Sequence, residues 1–260
     1  MILAMDAGNS NIVLGCMEDG KVLFTARAAT DRQKTEDEYA SIFSSILQMR
    51  NIDPLKVEGG ILSSVVPPLN STLLNAAETI TGKRPLLVAP GIKTDLPLLV
   101  DNPTALGSDR IVDAVAACAA YPCPLIVFDL GTCTTVSVVD ADGAFRGGVI
   151  CAGVRISQEA LTSQTSQLPA ISLDTPKKVI GRNTVDSMRS GAILGTAALV
   201  DGLIDRIRKE IGENAAVVMT GGMGKRIVAS CRREIHYDGD LLLKGLWLLY
   251  QKNTAKEDAV

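Results

Sequence analysis

The sequence predicts a duplicated α/β protein: two domains of alternating strands and helices that face each other. Three observations lead there. Ile2-Leu3-Ala4-Met5-Asp6-Ala7-Gly8 and Leu125-Ile126-Val127-Phe128-Asp129-Leu130-Gly131 share one pattern, an apolar run closed by Asp-x-Gly. One constant offset also aligns Val13 with Val136 and Asp19-Gly20 with Asp142-Gly143. Both segments therefore read as strand, tight turn, strand, Asp-Gly turn and third strand. Turns in register beside matching apolar runs mark an internal repeat. Helical patterns then alternate with short apolar runs through both halves, as in α/β domains. The join falls near residue 120, which predicts domains over 1–120 and 121–260.

Each further element has its own signal. Thr35-x-x-Glu38 is a capping-box pattern, and Tyr39, Ile42, Phe43, Ile46 and Leu47 follow at helical spacing. Gly60 to Val66 is a short apolar run ended by Pro67-Pro68, a buried strand. A helix over 71–81 stops at Gly82, and 85–89 is another strand. Ser108 is placed to cap an Ala-rich helix that reaches about Tyr121. In the second half, Thr184 begins a long helix running to about Ile211. Ser187, Gly191 and Gly195 lie along it at i, i+4, i+8, a stripe that permits close packing. Ala215 to Thr220 is a strand entering Gly221-Gly222-Met223-Gly224 and a short helix. Asp240 is placed to cap a last helix carrying Leu243, Trp247 and Tyr250.

Composition narrows the function classes. The chain has 260 residues, 47% apolar and 21% charged, which is material for a real core. A net charge of −3 argues against binding a phosphate backbone, and 3% aromatics leaves few platforms for stacking bases, so no nucleic acid is expected. The six cysteines form no C-x-x-C pair and the one histidine is His236, so a zinc site is not expected. Asp6 comes too early for a signal peptide, and no apolar run approaches a membrane span. The expected location is the cytoplasm.

The two Asp-x-Gly turns carry the chemistry. At a strand end the Asp projects, and the Gly lets the next backbone N–H groups approach a phosphate. Gly8-Asn9-Ser10-Asn11 supplies amides and short polar side chains; Gly131-Thr132-Cys133-Thr134-Thr135 does so with three hydroxyls. Two such turns across a cleft can hold successive phosphates, with Asp6 and Asp129 holding the bridging cation. Gly221-Gly222-Met223-Gly224 suits the nucleoside or a neighbouring phosphate, and serves equally as a packing turn. The chain has neither a P-loop nor a G-x-G-x-x-G at these turns. Leu106-Gly107-Ser108-Asp109-Arg110 opens a helix, where Asp109 and Arg110 form either a surface ion pair or a substrate grip. In the second case Arg110 holds an anionic substrate and Asp109 accepts a hydroxyl proton.

An ordered set of segments adds a resemblance. It comprises Asp6-Ala7-Gly8-Asn9-Ser10-Asn11, Ser63-Ser64-Val65-Val66-Pro67, Asp101-Asn102-Pro103 with Leu106-Gly107-Ser108-Asp109-Arg110, and Asp129-Leu130-Gly131-Thr132 with Thr134-Thr135. Gly147-Gly148-Val149-Ile150, Thr175-Pro176 and Gly181-Arg182-Asn183-Thr184 continue it. In order and spacing, over residues 2 to about 250, the chain resembles the type III pantothenate kinases of the acetate and sugar kinase/Hsp70/actin superfamily. The resemblance implies two ribonuclease H-like (actin-like ATPase) domains facing a nucleotide cleft. It implies ATP-dependent phosphorylation of pantothenate, the first step toward coenzyme A. By that likeness Asp6, Ala7, Gly8, Asn9, Ser10, Asn11, Ile12 and Val13 form the first ATP phosphate loop, and Thr132 belongs to the second. Asp129 binds the activating monovalent cation, K+ or NH4+, and Mg2+ accompanies ATP. Asp109 is the proton acceptor, while Val100, Gly107, Ser108, Asp109, Arg110 and Thr184 surround pantothenate. The likeness also implies a homodimer, for which the small stripe is one interface and packing within the domain the alternative.

Two positions depart from the family pattern. Val100 stands where a Tyr usually contacts pantothenate, and Cys151-Ala152-Gly153 stands where a Pro-Gly step usually follows Gly-Gly-x-Ile. They motivate two alternative readings: a nucleotide-binding regulator with little kinase activity, or a kinase for another small hydroxy acid. Cys133, inside the second turn, is either small filler or an oxidation-sensitive thiol near phosphate.

Overall fold

The computed structural model describes residues 1–211 and 215–255, and they divide into two units. In the first, β1 (Ile2–Ala7), β2 (Asn11–Glu18) and β3 (Lys21–Ala29) form an antiparallel meander. Its second turn is Asp19-Gly20, both at positive φ (49° and 75°), as a tight hairpin requires. Helix α1 (Glu36–Met49) then leads to β4 (Gly59–Ser64), and α2 (Asn70–Thr81) to β5 (Leu86–Leu87), both parallel to β1. The sheet order is β3-β2-β1-β4-β5.

The second unit repeats this order. Strands β6 (Leu125–Leu130), β7 (Cys133–Val139) and β8 (Phe145–Ala152) form the meander. Parallel β9 (Ala216–Thr220) and β10 (His236–Tyr237), with the short helix α7 (Gly224–Val228) between them, complete the sheet, β10-β9-β6-β7-β8. The repeat legible around Asp6 and Asp129 is thus a repeat of topology.

Local signals placed the helices well. Thr35 caps α1 in a complete capping box: the Thr35 N–H donates to Glu38 Oε2 at 2.8 Å and the Glu38 N–H to Thr35 Oγ1 at 3.3 Å. The α1 face made by Tyr39, Phe43 and Leu47 is fully buried in the first core. Gly82 ends α2 with φ 68°, the left-handed conformation a side chain resists. The long helix from Thr184 is α5 (Thr184–Ser190) and α6 (Thr196–Ile211), joined by a π-helical turn over Gly191–Gly195. Helix α4 (Val154–Gln164) was not foreseen; its single fully engaged apolar residue, Val154, gives little periodic signal. No described helix is long and apolar enough to cross a membrane.

The structure corrects three expectations. The C-terminal helix α8 (Leu241–Thr254), with Asp240, belongs to the first unit rather than to a domain over 121–260. It packs on β1, β2 and β4, where the bare faces of Gly15 on β2 and Gly59 on β4 receive Leu243 and Tyr250. Residues 97–101 group with the second unit, because Leu98 and Leu99 pair with Phe145 at the edge of β8. Finally, Ser108 begins α3 (Ser108–Ala120) without serving as its cap; its hydroxyl is bonded to β4 instead.

Candidate active site

In the first unit the predicted residues gather at one end of the sheet. β1 and β4 run parallel, with Asp6 beside Ser63 and Ala7 beside Ser64, so their C-terminal ends lie side by side. The Val65 N–H donates to the Ala7 carbonyl at 3.0 Å and keeps them together past the strands. The turn Gly8-Asn9-Ser10 leaves β1, closed by the Gly8 N–H donating to the Asn11 carbonyl at 3.0 Å. Asn9, Ser10 and Asn11 are exposed and Gly8 half-buried, whereas Ala7 and Ile12 are buried in the core. Ala7 and Ile12 therefore offer a ligand only backbone atoms.

The end of β4 holds the start of α3. Ser63, fully buried, shares a hydrogen bond with Ser108 Oγ at 3.0 Å. The Ser64 N–H donates to that same oxygen, and Ser108 Oγ can donate to the Ser64 carbonyl, both at 3.1 Å. This fixes Gly107, Ser108, Asp109 and Arg110 beside the strand that neighbours the Gly8–Ser10 turn. Asp109 Oδ1 accepts from the Arg110 N–H at 2.8 Å, and a side chain on Gly107 would crowd that oxygen at 2.5 Å. Burial pushes the Asp109 carboxyl up from its ordinary value, against the lowering pull of the Arg110 N–H and guanidinium. Burial likewise pushes Arg110 down, with Asp109 opposing it. Both partners agree that desolvation outweighs their attraction. Asp109–Arg110 is therefore a half-buried pair, not a surface ion pair.

In the second unit Asp129 ends β6 beside Thr135 and Thr220. The Gly131 N–H donates to the Cys133 carbonyl at 3.0 Å, closing a turn one residue shorter than that of Gly8. Gly221, at φ 90°, presses its bare backbone on the Asp129 carboxylate and on Leu130; any Cβ there would collide. Gly221 is thus required by the carboxylate turn itself, beyond its place in a strand-to-helix loop. No cluster of three His, Cys, Asp or Glu able to hold a metal occurs among the described residues.

Thr184 opens α5 behind Asn183, whose Oδ1 accepts from the Asp186 N–H at 2.9 Å. It lines a cavity of about 890 Å³ with Thr134, Arg182 and the stripe Ser187, Gly191 and Gly195. Nothing lies within 4 Å of where a Cβ would stand on Gly191 or Gly195, so these two positions of the stripe border open space.

Two Asp-x-Gly turns on a duplicated fold do not by themselves name a family, and comparison with known proteins does. The model of the type III pantothenate kinase family matches residues 2–206. A type III pantothenate kinase from an Exiguobacterium species is 44% identical over 253 residues, covering 97% of this chain and 99% of that protein. One from Myxococcus xanthus is 43% identical over 256 residues, 98% of this chain and all of that protein. The chain belongs to the type III pantothenate kinase family. Solved structures show the same fold at low identity. The Acidaminococcus fermentans (R)-2-hydroxyglutaryl-CoA dehydratase component A matches at TM-score 0.55 and 17% identity, covering 96% of each chain. The Thermus thermophilus ROK hexokinase matches at 0.51 and 14%, covering 95% of this chain and 97% of the other.

For this member of the type III pantothenate kinase family the structure also gives the settings of several further residues. Ser63 and Ser64 anchor Ser108, a contact no local pattern announces. Val100 is half-buried beside the β8 edge, and Thr132 is half-buried in the second turn. His236 stacks on Tyr121, with ring centroids 5.2 Å apart. Thr30 and Arg32 reach the Gly8–Ser10 turn from beyond β3.

Proposed function

We propose that this chain transfers the terminal phosphoryl group of ATP to the primary hydroxyl of pantothenate, giving 4'-phosphopantothenate for coenzyme A synthesis. One observation carries the reading. The phosphate turn after β1 and the carboxylate Asp109 are held at the C-terminal ends of two adjacent parallel strands, through Ser63, Ser64 and Ser108. Open α/β sheets bind ligands at that edge. The family relationship supplies the substrate.

In this reading the backbone of Asp6 to Val13 and the polar side chains of Asn9, Ser10 and Asn11 hold ATP phosphates, and Thr132 in the second unit holds another. Asp109 takes the hydroxyl proton as the new O–P bond forms. Phosphoryl transfer through a loose transition state asks mainly for orientation and a late proton acceptor, which a half-buried carboxyl with raised proton affinity provides. Arg110 faces the pantothenate carboxylate, and Gly107, Ser108, Val100 and Thr184 supply further contacts to that substrate. Asp129 would hold K+ or NH4+, and Mg2+ would be held by the phosphates of ATP. Bound there, such cations would supply neutralisation of the phosphate charge. The exposed stripe at Ser187, Gly191 and Gly195, with exposed Leu161 and Leu199 lining the same cavity, supports a homodimer through this face. The compartment is the cytoplasm.

The test is ADP release with ATP, Mg2+ and pantothenate, comparing potassium with sodium and identifying phosphopantothenate by mass. Potassium-dependent product is expected. ATP binding without product would overturn the reading in favour of a nucleotide-binding regulator.

A further inference from the structure

The first phosphate turn is held from outside by a segment that no motif contains. After β3, the Thr30 hydroxyl donates to the Gly8 carbonyl at 2.7 Å, and the Thr30 N–H donates to the Ser10 carbonyl at 3.1 Å. Arg32 Nη2 donates to Asn9 Oδ1 at 3.3 Å. Every residue of the turn is thus gripped once.

These grips decide which way the donors face. In a planar trans peptide the C=O and the following N–H point in opposite directions. Drawing the Gly8 carbonyl toward Thr30 turns the Asn9 N–H away from it. Drawing the Ser10 carbonyl the same way turns the Asn11 N–H away. Arg32 occupies the Asn9 side-chain oxygen, which leaves the side-chain NH2 as the free end. A turn whose oxygens are engaged on one side presents hydrogen-bond donors on the other, as an anion requires.

The segment is itself anchored. The hydroxyl of Tyr39, fully buried on α1, accepts from the Asp31 N–H at 2.9 Å and donates to the Asp31 carbonyl at 2.8 Å. Residue 31 is therefore clamped between the two gripping residues, by a side chain seated in the core.

We propose that Thr30 and Arg32 are positioning residues for the nucleotide phosphates, setting the donor face of the Gly8–Ser10 turn from the Tyr39 anchor. This rests on the kinase reading for the identity of the nucleotide. The test measures the ATP dissociation constant by calorimetry, and kcat and KM for each substrate. The variants are Thr30→Val, Thr30→Ser, Arg32→Met, Arg32→Lys and Tyr39→Phe.

Thr30→Val and Arg32→Met should each weaken ATP binding by about tenfold, the effect of one lost hydrogen bond, and raise the KM for ATP alike. The KM for pantothenate should stay within twofold of wild type. Thr30→Ser and Arg32→Lys, which keep a donor, should recover most of the ATP affinity. Tyr39→Phe should shift ATP affinity the same way by a smaller factor. Equal loss of ATP and pantothenate affinity, or no recovery in the conservative variants, would show a purely structural role and overturn the proposal. So would ATP affinity within twofold of wild type in Arg32→Met, whose exposed side chain contributes little to the core. Wild-type protein that binds ATP without phosphorylating pantothenate removes the kinase reading, yet the ATP constants still decide the proposal. Wild-type protein that binds no ATP overturns both.

Discussion

Replacing Asp109 by Asn separates the proton acceptor from everything else its side chain does. Asn has the same shape and keeps the Oδ1 that accepts from the Arg110 N–H at 2.8 Å, so the start of α3 should stand. What is lost is the basic oxygen. A positioned general base contributes about 10²–10⁴ in rate, or about 2.7–5.5 kcal/mol of transition-state free energy. The expected result is a kcat lower by that factor, with ATP dissociation constants within threefold of wild type. The pH profile gives a second readout. Burial raises the Asp109 pKa above its ordinary 3.8, so wild-type activity should fall as acid is added, through a pKa above 3.8. The variant's residual activity should lack that limb. Stability carries the opposite sign. A carboxyl raised on folding contributes fully below its unfolded value, and the contribution is lost as pH rises through the folded one. Wild type should therefore lose stability, relative to the variant, between acid and neutral pH. A variant within tenfold of wild-type kcat, or one that keeps the acid limb, would refute the assignment of Asp109 as acceptor.

Other perturbations test the surrounding construction. Ser108→Ala strands the buried Ser63 hydroxyl and should cost about 1–3 kcal/mol by urea unfolding, while lowering kcat/KM for pantothenate more than ATP affinity. Gly221→Ala places a Cβ against the Asp129 carboxylate at φ 90°; it should destabilise by about 1–3 kcal/mol and abolish the difference between potassium and sodium in turnover. Gly245→Ala should gain about 1 kcal/mol of helix propensity in α8 yet melt at lower temperature, because its Cβ would run into the Val112 carbonyl of α3. Val100→Tyr, which supplies the phenol expected at that position, should lower the KM for pantothenate several-fold and leave the KM for ATP unchanged.

What the sequence disclosed was local. The capping box at Thr35 and Glu38, the glycine stop at Gly82 and the Asp19-Gly20 hairpin each depend on residues a few positions apart, and each was legible. The repeat made the two Asp-x-Gly turns legible too, because Asp6 and Asp129 supply two readings of one pattern. Ser108 misled for the opposite reason. A serine at a helix start reads as a cap, but this hydroxyl found stronger use on β4, with partners 44 and 45 positions away. The return of α8 to the first unit was hidden likewise. It depends on Gly15, Gly59 and Val112, three scattered places where bare or close backbone receives a helix. Thr30 and Arg32 belong to no motif, since the carbonyl and side-chain oxygens they hold lie more than twenty positions away.

The same geometry weighs the two departures from the family pattern differently. Ala152 is the exposed last residue of β8, paired with Cys133 at the mouth of the second phosphate turn. The steric demand falls one residue later. A Cβ on Gly153 would run into the carbonyls of Gly131 and Thr132, although its φ of −70° is open to any residue. Glycine is required there for closeness rather than for conformation, and this chain retains it. Proline at 152 would stiffen the approach, but the contact between the α4 start and the phosphate turn is made by Gly153. Ala152 therefore gives no reason to expect a damaged second turn, and that part of the case for an inactive regulator falls away. Val100 is different, because a half-buried aliphatic side chain cannot replace the hydrogen bond of a phenol. A reduced affinity for pantothenate, with ATP handling intact, is the form this chain's divergence should take.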